Sequence, residues 1–216
     1  MTTIILNGSP KGNTDKSSSF VLAQAFVSKM NDPCEILPIA ETDFNKIIAR
    51  IGGYDNIIII MPNYVHAMPG IVMKFLEVLP AASNDKKALG FIVQAGYIES
   101  VEEEIISRYL KAFTKRLNYN YLGTVARGEA AGIAMFPDKF KKILNKFSEF
   151  GRSYEQTGVF DDEYIKLFAK PYELTAFLAG LITFVNKIGL GDLGWNMMLK
   201  KHNAFEKRFD KPYTRT

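Results

Sequence analysis

The stretch 56-NIIIIM-61 decides how this chain is read. Four isoleucines run on between Asn56 and Met61 with no polar alternation, so neither face is meant for water. A strand buried on both faces is what a central parallel strand looks like. Outward from it, short apolar runs alternate with longer helical patterns. Further strands are expected at Thr3–Leu6, Cys34–Ile39, Lys87–Gln94 and Tyr119–Ala126, with Pro38 marking the second as an edge strand or as a strand end. Helices are expected over about 15–30, 43–52, 70–79, 100–117 and 138–150, the first carrying Phe20, Val21, Ala23, Phe26, Val27 and Met30 on one face. Five strands alternating with five helices give an α/β fold, a doubly wound five-stranded parallel sheet. Ligands of such sheets sit beyond the C-terminal ends of the strands.

Composition narrows the classes. With 216 residues and 47% hydrophobic side chains the chain can bury one good core, so a domain over 1–155 and a helical extension over 156–216 are expected. A net charge of +4, thickening in KKHNAFEKRFDKPYTR, is too small to argue for a nucleic-acid partner, and no recognition module is visible. The single Cys34 excludes an intrachain disulfide framework and any cysteine-only cluster, which points to a reducing cytoplasm. Nothing at the N-terminus has the pattern of a secretory signal. The stretch 174-LTAFLAGLITFVNKIGLG-191 holds an apolar run of about 12 residues, short of the ~20 that cross a bilayer. Its nearly all-round apolar character implies cover by the sheet domain and by a second subunit, so a homodimer is expected. A peripheral membrane contact is the less favoured alternative, kept open by Lys187 and the basic tail.

Four irregular, glycine-containing loops fall at strand ends: NGSPKGNT, PNYVHAMPG, QAGYIES and RGEAAGI. The first leads to a helix expected to begin near Thr14–Lys16, whose free amides and partial positive charge would suit a phosphate. Turn chemistry with Asn13 or Thr14 as a cap explains the same residues, and neither GxxxxGK[ST] nor GxGxxG is present. The second loop is stiffened by Pro62 and Pro69 around Asn63, Tyr64 and His66, and could hold a flat heterocycle. His66 reads equally as an exposed or as a catalytic histidine. Ser100 reads as a helix cap, Asp161 and Asp162 as a capping pair, and Arg127 as either a phosphate ligand or a partner of Glu129. No G-x-S-x-G elbow, HExxH or metal-ligand cluster occurs, and the chain has only His66 and His202. No catalytic side chain and no metal site are therefore assigned. A chain so poor in acids and nucleophiles at its loops suits chemistry done by a cofactor.

These loops together resemble the flavodoxin-like NAD(P)H-dependent FMN reductase and quinone reductase superfamily, over about residues 1–150. ILNGSPKGNT is similar to the family's loop GSPR-x-x-S/N-x-[ST], which implies that Ser9, Lys11, Asn13, Thr14 and Ser17 surround the FMN phosphate. MPNYVHAMPGIVMKFLE resembles the family's second loop, which implies Pro62, Asn63, Tyr64 and Val65 against the isoalloxazine ring. QAGYIES resembles the third, placing Ala95, Gly96 and Tyr97 on the pyrimidine side. The resemblance implies a flavodoxin-like fold, FMN as cofactor and NAD(P)H, with NAD and NADP both open, as electron donor. It further implies a small-molecule electron acceptor such as a quinone, nitroaromatic, azo compound or flavin. An electron carrier that docks to redox proteins is the first alternative, and an FMN-free adaptor protein the second.

Overall fold

The computed structural model describes residues 1–211. Five parallel strands form one sheet: β1 (Thr3–Asn7), β2 (Glu35–Pro38), β3 (Asn56–Pro62), β4 (Ala88–Gln94) and β5 (Asn120–Arg127). Their spatial order is β2-β1-β3-β4-β5, the flavodoxin-like order. Winding changes direction between β1 and β3, and a crevice opens there at the strand ends. β3 is central, with Ile58 opposite both Ile5 and Gly90, and all seven of its residues are buried.

The isoleucine run divides between two layers, which is why it shows no alternation. Ile57, Ile59 and Met61 pack with Ile47 and Ile51 of α2 (Phe44–Ile51), Val72 and Phe75 of α3 (Gly70–Val78), and Leu110 of α4 (Glu104–Arg116). Ile58 and Ile60 face Leu22 and Phe26 of α1 (Ser18–Val27), Phe147, Phe150 and Tyr154 of α5 (Lys141–Thr157), and Phe168 of α6 (Asp162–Phe168). Each isoleucine so buried contributes about 2 kcal/mol. The second layer is an aromatic lattice, with Phe26 edge-on to Phe150 at 5.1 Å between centroids. α1 and α5 cross closely because Gly151 has no Cβ; one built there would stand 1.8 Å from the Phe26 carbonyl oxygen.

Three local details differ from the sequence reading. α1 begins at Ser18, not near Thr14–Lys16, because the Ser17 Oγ accepts the Phe20 amide at 3.2 Å and sets the cap there. The loop after β1 is correspondingly longer. The helix expected from 138 opens as a 3-10 turn over Pro137–Phe140 and continues as α5 to Thr157. Ser100 stands at the N-cap of the 3-10 turn Val101–Glu103, but its hydroxyl makes no capping bond and donates to the Ala169 carbonyl at 2.7 Å instead. Asp161 does cap, accepting the Glu163 amide at 2.8 Å.

The chain divides into two compact units, Met1–Glu173 and the segment from Leu174 onward. The first holds the whole sheet and α1 to α6. The second contains α7 (Ala176–Lys187), capped by the Thr175 hydroxyl, and α8 (Leu193–Lys201). Neither α7 nor α8 contains a buried residue. Among the described residues no helix is long and apolar enough to cross a membrane.

Candidate functional site

The loop after β1 is held open by its own side chains. Asn7, fully buried at the end of the strand, donates to the Gly12 carbonyl at 2.8 Å and to Asn13 Oδ1 at 3.0 Å, and accepts the Ser9 amide at 3.0 Å. Asn13 donates onward to the Ile36 carbonyl of β2 at 2.9 Å. The Thr14 hydroxyl donates to the Lys11 carbonyl, and Lys11 Nζ to that of Lys16. Gly12 supplies the one left-handed residue the loop needs, at φ +60. With the side chains spent in this way, the amides of Asn13, Thr14, Asp15 and Lys16 have no acceptor among the described residues. Unpaired amides in a row before a helix N-terminus attract an anion.

The second loop turns on a tight reverse turn. Tyr64 and Ala67 exchange backbone hydrogen bonds of 2.8 and 3.1 Å across Val65 and His66, which have φ of 51 and 63. Two successive left-handed residues make a type I′ turn, where Asn and Gly are usual. A β-branched valine there is strained. The turn leaves the amides of Val65 and His66 unspent, whereas those of Asn63 and Tyr64 already donate to Gln94 and Ala67. The third loop behaves alike: the Ala95 amide donates to the Arg127 carbonyl, and those of Gly96 and Tyr97 meet no acceptor.

These loops border a cleft of about 280 Å³ at the ends of β1, β3 and β4. Of the residues named from sequence, Ser9, Lys11, Pro62, Asn63, Tyr64, Ala95 and Gly96 line it. Asn13, Thr14, Ser17, Val65 and Tyr97 do not; the side chains of Asn13, Thr14 and Ser17 brace the first loop and the start of α1 instead. Ser18, Gln94 and Ala131 also line the cleft and were not foreseen. Gln94 was findable, being the polar residue that closes an apolar strand. Ala131 has no local signal, because only the fold brings the fourth loop to the third. Arg127 is taken up by protein partners, the Lys170 carbonyl at 3.0 Å and Glu129 at 3.5 Å.

Behind the second loop lies an unmatched pair. Both amide atoms of Asn63 and both carboxyl oxygens of Glu103 are buried without a hydrogen-bond partner. Burial pushes the Glu103 carboxyl up to about 7, with the Glu102 charge adding to it and the nearby Asn63 amide acting against it. That amide is close enough to act on the charge yet outside hydrogen-bond geometry. Glu102 itself pairs with His66, whose ring stacks on Tyr97 at 6.1 Å and 13°. His66 thus ties the second loop to the third.

A larger cleft, about 360 Å³, opens at the opposite ends of β1 and β2 beside Cys34. Burial pushes that thiol up to about 12, so it is a neutral group and no nucleophile.

Residues 1–115, more than half of the chain, match the family model described as NADPH-dependent FMN reductase. The chain belongs to the NADPH-dependent FMN reductase family. Solved structures with the same fold include an NADPH-quinone reductase from P. pentosaceus (17% identity, TM-score 0.55, covering 70% of this chain and 98% of that one). An FMN-dependent NADH-azoreductase from Bacillus anthracis, in complex with FMN, is 14% identical with a TM-score of 0.56, over 72% of this chain and all of that one (100%). The Trp repressor binding protein from Bacillus subtilis is 18% identical with a TM-score of 0.53, over 68% and 96%. Comparison with curated protein sequences gives no match. For this FMN reductase family member such identities speak to the fold.

Proposed function

We propose that this chain is an FMN-dependent oxidoreductase that takes electrons from NAD(P)H and passes them to a small acceptor such as a quinone, nitroaromatic, azo compound or free flavin. The observation that carries the reading is the run of unspent amides at Asn13–Lys16, which lies in the chain between Lys11 and Ser18 of the cleft lining at the β1/β3 crevice. The residues present fit FMN. A phosphate suits the amide row, and the unspent backbone amides of Val65, His66, Gly96 and Tyr97 offer donors to the edge of a heterocycle.

Each loop then has its task. Asn7, Asn13, Thr14 and Ser17 hold the first loop with its amides unspent, and Ser9 and Lys11 stand at the cleft wall. Pro62, Asn63 and Tyr64 form one wall and Ala95 and Gly96 another. The Val65–His66 turn and the Gly96–Tyr97 stretch supply preformed amide donors, which cost no reorganisation when a ligand accumulates negative charge. When bound, FMN supplies the hydride chemistry that no side chain here provides. His66, stacked on Tyr97 and paired with Glu102, fixes the second loop to the third beside these walls.

The test is spectroscopic. Purified protein should be yellow, or turn FMN's visible band on titration, and anaerobic NADPH or NADH should bleach that band. Steady NAD(P)H oxidation on adding a quinone completes the reading. Bleaching only by a reduced redox protein would favour an electron carrier, and no spectral change with FMN would end the proposal.

A further inference from the structure

The surface of the segment from Leu174 onward is unlike that of the rest of the chain. α7 is apolar on every side from Ala176 to Val185 apart from Gly180 and Thr183, yet Phe177 is 81% exposed and Phe184 59%. A helix apolar all round belongs in a core or in lipid. Twelve residues rise about 18 Å, well short of the ~30 Å hydrocarbon layer. Such a helix can enter one leaflet and cannot cross. α8 adds exposed Leu193, Trp195 and Met197, tryptophan being the side chain that settles at the headgroup level.

Charge indicates what covers this surface. Residues 1–173 contain twenty basic and twenty acidic side chains and are neutral. Residues 174–216 contain seven basic and three acidic ones, so they carry the chain's entire net charge of +4. Lys187 stands at the end of α7, Lys200 and Lys201 at the end of α8, and Lys207 and Arg208 follow. Lys200 and Arg208 both lie against the Phe205 ring, at 4.9 and 3.8 Å from its centre. Cations at the ends of apolar helices can bury their stems and reach a phosphate with their heads. A second copy of the segment would instead bring the same excess of cations against itself. We propose that the segment from Leu174 is an interfacial membrane anchor, seating α7 and α8 in one leaflet of a bilayer that contains anionic lipid. This reverses the order in which the sequence ranked a subunit seam and a membrane surface.

Trp195 is the chain's only tryptophan, so its emission reports on this segment alone. Full-length protein is mixed with vesicles of phosphatidylcholine containing phosphatidylglycerol, and separately with phosphatidylcholine alone. The anionic vesicles should shift Trp195 emission to the blue, with quenching by lipids brominated on their acyl chains. Vesicle flotation should be weaker by roughly tenfold without the anionic lipid, and by a similar factor in Lys200→Gln/Lys201→Gln. Phe177→Ser/Phe184→Ser should abolish the emission shift while far-UV circular dichroism stays unchanged, since neither side chain is buried. Equal flotation with neutral and anionic vesicles would overturn the proposal. So would unchanged emission with every vesicle, including the case where light scattering gives a dimer mass that Phe177→Ser/Phe184→Ser dissolves, which would make a second copy the occupant.

Discussion

Val65 holds a left-handed backbone at 79% exposure, a conformation its branched side chain resists and its surroundings do not reward with packing. The strain is affordable only if the turn is useful as it stands, and its two unspent amides supply the use. Val65→Asn, which fits a type I′ turn better, should raise the stability of the flavin-free protein by about 1 kcal/mol in urea unfolding. Glu103 gives a second test at this scale. Its folded pKa, about 7, lies above the ordinary carboxyl value of 4.5. The folded state therefore holds the proton more tightly, and stability is fullest below the unfolded value and lost as pH rises through about 7. Glu103→Gln should remove that loss, melting above the parent at about pH 8 and level with it at about pH 5 or below. Thermal melts of flavin-free protein across that range decide the matter. A parent with no decline over it would show that Glu103 is paired or hydrated in solution. None of this was visible in the run 102-EEE-104, where one buried glutamate looks like its solvated neighbours.

Between elements, the decisive contact is the crossing of α1 and α5. The obstacle to a methyl group at Gly151 is the Phe26 carbonyl, which is backbone and cannot rotate away. Gly151→Ala should therefore cost about 3 kcal/mol or more, at the upper end for overpacking, measured by urea unfolding. It should also disturb the cleft, since α1 carries Ser18 and Ser19, the latter holding Gln94 at 3.3 Å. Lys87 ties another pair of elements, donating to the carbonyls of Ile51, Gly52 and Tyr54 where α2 ends. Strand and helix identities were legible because the isoleucine run and the helical faces follow backbone periodicity. The start of α1 was not: Ser17 outcompeted Thr14 as a cap through a choice that depends on where Asn7 and Asn13 anchor the loop.

For the whole molecule, every residue proposed for FMN lies in the unit Met1–Glu173, and the net charge lies outside it. FMN at a hundredfold excess over its dissociation constant should raise the unfolding free energy by about 2.7 kcal/mol. Limited proteolysis within the segment from Leu174 should leave that gain intact, and its loss would show that the segment completes the site.

The sequence by itself determined the sheet, its central strand and the three loops that meet at its ends, because burial on two faces and turn chemistry are written in local residue order. Only the tertiary structure decided which polar groups remain to bind anything. Hydrogen bonding is a competition among all groups within reach, and the fold alone fixes who is within reach. It spent the side chains of Asn13, Thr14 and Ser17 on bracing, freed the amides beside them, and buried Asn63 and Glu103 without partners.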